Sequence, residues 1–563
     1  MMVHSSAVWV HLQKAPFKMK KLTITKLHRI LSLIISIPVI LWAASGVMHP
    51  LMTTLKPAIA TQVLEESPLD TSLVKLDLQE VLQQNSITSF SNFRMATIGG
   101  QVFYQMIFRD SQHPRYFSAI SGKELANGDE LYARELAKFY LHGSNNPSVG
   151  KSDSLTETAD VAQDQITEIA AEEDEVEDCC MLAANGAMQC KEGGHISSIR
   201  FVEGFDKDYR YVNRLLPVYE IKFERKDGLN IYVQTTTGKF AYAVDRRRAT
   251  FDKIFAFLHT YSWLDAASNF RIIVMMVLCI LAFITTILGL YIFFSTKKAF
   301  GKSSISKSRR WHRYTALVVS IFTLMFTFSG AYHAFKKFTP ENRDYEILPS
   351  NFETAAVNFS MDSLFNKFKD KQIVNLSLAD LGTKKYLTIN MQKKSPSAAP
   401  QEMGGKKGGN KKSGFKSKKS SIYANLPDLS VDSLGEVTYA KTLAVAVSGL
   451  EEKLITEVKP IHKFEGEYGF VNKRLPVYKI QFGTDDNVRY YIETATGILS
   501  TQVRDADVWE GLSFSMLHKH HFLDFAGKEA RDISTMFWAA SQILMVVLGL
   551  ILWLRIRKKQ VTN

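Results

Sequence analysis

Residues 27–49 read LHRILSLIISIPVILWAASGVMH, and residues 311–333 read WHRYTALVVSIFTLMFTFSGAYH. In each, 19 residues without Asp, Glu, Lys, Arg or His lie between two histidines, Ile30–Met48 in the first copy and Tyr314–Tyr332 in the second. A run of that length crosses a hydrocarbon layer of about 30 Å at about 1.5 Å per residue. Both copies open on His-Arg and close on Ser-Gly-x-x-His, and they are offset by 284. Within each copy the two histidines are 21 residues apart. Three heptads bring them within about 60° of one helix face, so one imidazole falls at each surface of the membrane on nearly the same side.

Two further uncharged runs, Ile272–Thr296 and Ile533–Leu554, bring the spans to four. The charge balance agrees with this reading. The chain has 69 basic and 56 acidic residues, a net +13 that invites a nucleic-acid function. Residues 1–29, 297–313 and 555–563 hold seventeen of the basic residues and no acidic ones, and each abuts an apolar run. Without them the chain is slightly acidic, 52 basic against 56 acidic. Basic segments flanking spans set membrane orientation. They put both termini and the 297–313 loop in the cytoplasm and the two long segments in the periplasm of a bacterial inner membrane. The first span could instead be a cleaved signal peptide, with Ala43-Ala44-Ser45-Gly46 as its processing site; the internal repeat favours retention.

The repeat extends beyond the spans. At an offset of 259, Val212-Asn213-Arg214-Leu215-Leu216-Pro217-Val218-Tyr219 matches Val471-Asn472-Lys473-Arg474-Leu475-Pro476-Val477-Tyr478. Tyr232–Gly238 likewise matches Tyr491–Gly497, and Leu258-His259 with Asp265 matches Leu517-His518 with Asp524. Leu288-Gly289-Leu290 matches Leu548-Gly549-Leu550 with a slip of one. The chain is thus expected to be a membrane all-α four-helix bundle, two parallel repeats of two spans about an axis along the membrane normal, with α+β periplasmic domains.

The expected order is a cytoplasmic segment 1–29, a span 30–49, a periplasmic region 50–258, a histidine and second span 259–296, and the loop 297–313. A span 314–333, a region 334–517, a histidine and fourth span 518–554, and a tail 555–563 follow. Strands are expected at Gln101–Phe108, Arg115–Ala119, Val218–Phe223, Ile231–Thr235, Tyr386–Met391, Val477–Phe482 and Tyr490–Thr494, and a helix at Glu130–Leu141. Two small α+β units per half result. Insertions at 152–195 and 393–419 interrupt the regions. Residues 152–178 carry eleven acidic and no basic residues, and 393–419 nine basic and one acidic. Such compositions do not bury a core.

Six of the 14 histidines occupy repeated membrane-edge positions: His28, His49 and His259, then His312, His333 and His518. An isolated interfacial histidine often only snorkels or caps a helix; three positions duplicated in both halves ask for a function. Imidazoles facing each other across a bundle suit bis-histidine ligation of b-type haem. Zinc is less apt, since two imidazoles without carboxylate or thiolate partners do not complete a tetrahedron. Phe251, Ile254, Phe255 and Leu258 share one helical face, which would lay an amphipathic helix against the membrane and aim His259 inward. His518 is placed equivalently, with His520 and His521 as local alternatives. Two haems are expected, one of them held by His28 and His312 on the inner side. On the outer side one haem could join a pair of mates, or one haem per half could join His49 to His259 and His333 to His518, giving three.

The Leu-His-Arg opening, the Ser-Gly-x-x-His close, the Tyr-x-x-Thr-x-Thr-Gly blocks and the Leu-His before the next span together resemble the PepSY-associated transmembrane family. Trp311 stands where the first copy has Leu27. The resemblance covers nearly all the chain outside the insertions and implies PepSY periplasmic domains. It also implies a haem-dependent oxidoreductase, a ferric (siderophore) reductase of iron uptake with a ferric chelate as substrate. No nucleotide- or flavin-binding glycine motif follows a strand, so quinol or a separate reductase must donate the electrons. A non-catalytic sensor or binding protein is the alternative. Cys179, Cys180 and Cys190 read either as a disulfide with one odd thiol or as a soft-metal site, and Cys279 as a packing residue.

Overall fold

The computed structural model describes residues 21–52, 55–64, 67–143, 180–182, 188–190, 194–296, 303–338, 350–382, 384–392 and 419–562. Its helices are α1 Lys21–Met52, α2 Leu78–Gln84, α3 Gly128–His142, α4 Arg246–His259, α5 Ser268–Ser295, α6 Ser304–Phe338, α7 Met361–Lys367, α8 Gly435–Ser448, α9 Asp505–Ser513 and α10 Gly527–Thr562. The chain divides into two compact units, one holding the long helices and one holding the sheets.

In the helical unit, four helices are long and apolar enough to cross a membrane. Each touches two others: α1 and α6 both pack on α5 and on α10. Small residues allow the close approach that packing in lipid requires. A Cβ built on Gly46 of α1 would stand 3.3 Å from Ala539 of α10, and one on Gly330 of α6 would stand 3.3 Å from Cys279 of α5. Thr323 bonds Gln542 across α6 and α10 at 2.7 Å. Ile37, Ile321, Phe294 and Ile533 are exposed, as lipid-facing side chains must be. Between α4 and α5 the chain makes a 3-10 turn at Ser262–Ala267.

Among the described residues there are six antiparallel sheets, four larger ones of three or four strands and two of two strands. Strands β2 Asn92–Ile98, β3 Gln101–Ile107 and β4 Arg115–Ser118 follow the short β1 Ser89–Phe90. Strands β5 Cys180–Leu182 and β6 Met188–Cys190 form a two-stranded ladder. The second of the larger sheets runs through β7 Ile196–Val202, β8 Val218–Phe223, β9 Asn230–Gln234 and β10 Lys239–Val244. After β11 Phe352–Glu353, which pairs with β1, the third contains β12 Ile373–Asp380, β13 Lys385–Gln392, β14 Lys419–Asn425 and β15 Val431–Asp432. The fourth contains β16 Ile455–Ile461, β17 Val477–Phe482, β18 Arg489–Glu493 and β19 Ile498–Val503. Strands β8 and β17 span the residues their alternation predicts; the others are displaced by about one residue, the usual uncertainty of an element end.

Gly238 and Gly497 sit at φ +62 and +69 in the turns before β10 and β19, where a Cβ would be strained. Helix α3 packs on the second sheet and α8 on the fourth, each burying a core of aliphatic and tyrosine side chains. The first and third sheets instead share one core, in which Leu78, Phe93, Tyr104 and Phe117 meet Phe352, Leu364, Leu376 and Leu387. Two asparagines stitch these sheets together. Asn92 bonds the backbone N–H and C=O of Leu378, and Asn375 does the same to Met95, at 2.9–3.0 Å. Residues 152–178 and 393–418, expected to lack structure, lie outside the described residues.

Candidate functional site

All six repeated histidines lie in the helical unit, and they fall into two groups. His28 of α1 packs on α5: a Cβ on Gly289 would lie 3.1 Å from its Cε1. Its Nδ1 stands 3.0 Å from the Thr285 carbonyl oxygen. A carbonyl only accepts, so Nδ1 carries the proton and Nε2 keeps its lone pair. His312 of α6 repeats the packing on α10, where a Cβ on Gly549 would lie 3.2 Å from its Cε1, but its buried Nδ1 makes no hydrogen bond among the described residues. His28 and His312 are near enough to interact electrostatically. Between each histidine and its neighbouring helix, glycine leaves room for a ring where any side chain would intrude.

The second group is a series of aromatic rings. His49 stands 5.6 Å from Phe255, which stacks on His259 at 4.8 Å. His333 stacks on Phe514 at 4.4 Å, and Phe514 on His518 at 4.7 Å. His259 and His518 meet edge-on, with centroids 6.1 Å apart and planes at 85°. The order is thus His49, Phe255, His259, His518, Phe514, His333. Among the described residues no three His, Cys, Asp or Glu side chains could hold a metal ion together.

Both central imidazoles are neutral. Burial lowers His259 to about 4, and His49, His333 and Lys337 push in the same direction. Burial also lowers His518, helped by His259, His333, Lys519 and His49. Ser45 Oγ lies 2.9 Å from His259 Nδ1, and Ser329 Oγ 3.1 Å from His518 Nδ1. Each serine belongs to the Ser-Gly-x-x-His close of the neighbouring span.

Two residues beyond each central histidine the backbone turns left-handed, at Tyr261 (φ 50) and His520 (φ 54). Such a conformation is costly for bulky residues. It drives both side chains inward. Tyr261 is 3 % exposed against Trp42, and His520 is fully buried beside Phe322 and Phe326. The Tyr261 hydroxyl and His520 Nε2 have no hydrogen-bond partner. Buried polar atoms are nearly always paired, so two orphans at matching positions mark a place shaped for something else. His520 differs from His518 in its contacts, with Nδ1 3.1 Å from Ser534 Oγ and the ring stacked on Phe326. His521 is engaged with Asp524 at 2.9 Å.

The spacing of His259 and His518 is the one a shared metal would ask for. With metal–imidazole bonds of about 2 Å, and about 1 Å more from nitrogen to ring centre, two axial rings stand about 6 Å apart. His259 and His518 have that spacing. The roles of Ser45 and Ser329, Phe255 and Phe514, Gly289 and Gly549, and Tyr261 and His520 escape a reading of histidine positions alone. Their shared offsets of 284, 259 and 260 were the available signal. Elsewhere, Cys279 is buried against Gly330. Backbone register places Cys180 opposite Cys190 across β5 and β6, while Cys179 lies outside the described residues.

A family model described as the PepSY-associated TM region matches residues 205–555. The chain belongs to this family and is a membrane protein. No curated protein matches it.

Proposed function

We propose that this PepSY-associated membrane protein is a two-haem b-type cytochrome that reduces a ferric chelate. In this reading the four long helices form one bundle. Its halves are related by an axis along the membrane normal, with both termini cytoplasmic and the sheet unit in the periplasm of the inner membrane. The observation that carries the reading is the buried meeting of His259 and His518, 6.1 Å apart.

His259 and His518 would hold the outer haem, and His28 and His312 the inner one. The reading with one outer haem per half, joining His49 to His259 and His333 to His518, is the alternative; Phe255 contacts both histidines of the first pair and Phe514 both of the second. Haem bound at these positions supplies one-electron chemistry at both membrane surfaces. The protein's part would be to present imidazole lone pairs at each site, to hold the outer rings with serine hydroxyls and the His28 ring with the Thr285 carbonyl, and to keep water away. Reduction suits iron release, because hard oxygen chelators made for Fe(III) hold the larger, less charged Fe(II) weakly. Quinol or a separate reductase would donate the electrons, and the sheet unit would position the chelate, a ferric siderophore being the natural class.

The test begins with one absorbance spectrum of the purified protein, which should show a reducible b-type haem. Dithionite-reduced protein should then reoxidise anaerobically on addition of a ferric siderophore, with Fe(II) trapped by a ferrous chelator. A haem-loaded protein that stays reduced with several ferric chelates would leave the non-catalytic sensor as the better reading. Orientation is checked separately. Ser417→Cys should label with an impermeant reagent once the outer membrane is permeabilised, and Ser303→Cys only after the inner membrane is broken.

A further inference from the structure

Each serine that touches a central histidine has already committed its proton. Ser45 Oγ donates to the carbonyls of Leu41 and Trp42, both at 2.9 Å, and Ser329 Oγ to those of Met325 at 2.8 Å and Phe326 at 3.2 Å. This back-bonding to the preceding turn is ordinary for serine inside a helix. A hydroxyl has one hydrogen and two lone pairs. Toward the imidazole each serine can therefore only accept. With the serine hydrogens back-bonded, both histidines donate from Nδ1 in this arrangement and leave Nε2 unprotonated. The arrangement is the same on the two sides of the site, although the partners are separated by 214 and 189 residues.

The packing leaves little freedom. Both serines are buried, Ser45 at 0 % and Ser329 at 1 % exposure. The adjacent Gly46 and Gly330 bring the spans against Ala539 and Cys279. The Trp42 indole N–H bonds the His259 carbonyl at 3.0 Å, fixing the backbone that carries the ring. Tautomer and ring orientation are thus set by the span that ends in His49 or His333, and not by the helix that carries the imidazole.

From this geometry we infer that Ser45 and Ser329 are positioning residues for the outer haem. By accepting the Nδ1 proton they hold each Nε2 toward the iron and increase electron donation from the imidazole, favouring the ferric state. This rests on the reading that His259 and His518 are the axial pair. An acceptor at the distal nitrogen raises ligand basicity, so its loss should make the outer haem easier to reduce.

Potentiometric titration of the purified, haem-loaded protein tests it, with Ser45→Ala, Ser329→Ala and the double variant. Each single change should raise the reduced-to-oxidised ratio of the outer haem, at fixed applied potential, about two- to tenfold, the worth of one hydrogen bond. The double change should raise it further, and the inner haem should titrate as before. Ser45→Thr and Ser329→Thr keep the hydroxyl and should restore the potential. Ser45→Cys and Ser329→Cys keep the volume with a weaker acceptor, and serve if the alanine variants fail to fold. A lower melting temperature with an unmoved potential would make the serines structural only and overturn the inference. Outer-haem absorbance that survives in His259→Ala and His518→Ala would instead overturn the ligand assignment on which it rests.

Discussion

The inner and outer histidines come from the same duplicated motif, yet they are built differently. His28 and His312 each rest on a glycine of the neighbouring helix, and His28 also bonds that helix's backbone at Thr285. The outer four join into one ring series that crosses from one half to the other where His259 meets His518. Main chain, which a mutation cannot delete, holds the His28 ring; the outer central imidazoles depend on serine side chains, which one can. Duplication thus supplies two pockets at one surface and a single shared contact at the other. The outer site should therefore be the more sensitive to substitution.

The largest effect should follow from removing a central outer ligand. His259→Ala or His518→Ala should each eliminate one haem equivalent, by pyridine-haemochrome assay, and abolish reoxidation by a ferric chelate. In the intact protein, ring planes at 85° should give the strongly anisotropic low-spin EPR signal of crossed axial imidazoles. His49→Ala and His333→Ala should keep full haem content; loss of haem there would restore the reading with one outer haem per half.

Next comes the inner pair. His28→Ala should lose one haem equivalent, and His28→Ala with His312→Ala no more than either alone, since one missing ligand already spoils the site. When dithionite supplies the electrons, these variants should still reoxidise with the chelate. A block there would mean that the two groups of histidines are not separate sites.

Smaller effects should come from the glycines. Gly289→Ala places a methyl 3.1 Å from His28, and Gly549→Ala one 3.2 Å from His312. Overpacking of that kind costs about 1–3 kcal/mol, so both should lower the melting temperature and broaden the inner-haem spectrum alone. A perturbed outer haem would show that the sites are mechanically coupled. The smallest change is expected from Tyr261→Phe, which deletes an orphan hydroxyl. Haem-free protein should be unchanged or more stable by up to about 1 kcal/mol, whereas the loaded form should release haem faster. Equal behaviour of both forms would separate Tyr261 from the haem.

Much of this was legible in the sequence because hydrophobic length, inside-positive charge and strand alternation are local properties. Val218–Phe223 and Val477–Phe482 lie where their alternation puts them, and the four spans where charge is missing. The histidines were visible because they repeat. The serines stood in the same motif, but their function depends on contacts 214 and 189 residues away, which periodicity does not encode. The left-handed backbone at Tyr261 and His520 was hidden too, because a bulky residue such as tyrosine seldom takes a positive φ and histidine does so only in a minority of cases. The pairing of the first and third sheets through Asn92 and Asn375 has no local signature at all.

That pairing has a consequence for how the chain is made. The shared core takes one part from residues 74–119 and the other from 352–429. Roughly 230 residues separate Ala119 from Phe352, and at about 5–20 residues per second the second part emerges on the order of ten to fifty seconds later. Until then Leu78, Phe93 and Phe117 have no completed surface to pack on. The nascent first half is thus exposed to proteases and in need of a holding chaperone, and a ribosome that stalls between the two parts leaves behind a fragment that cannot finish its own core.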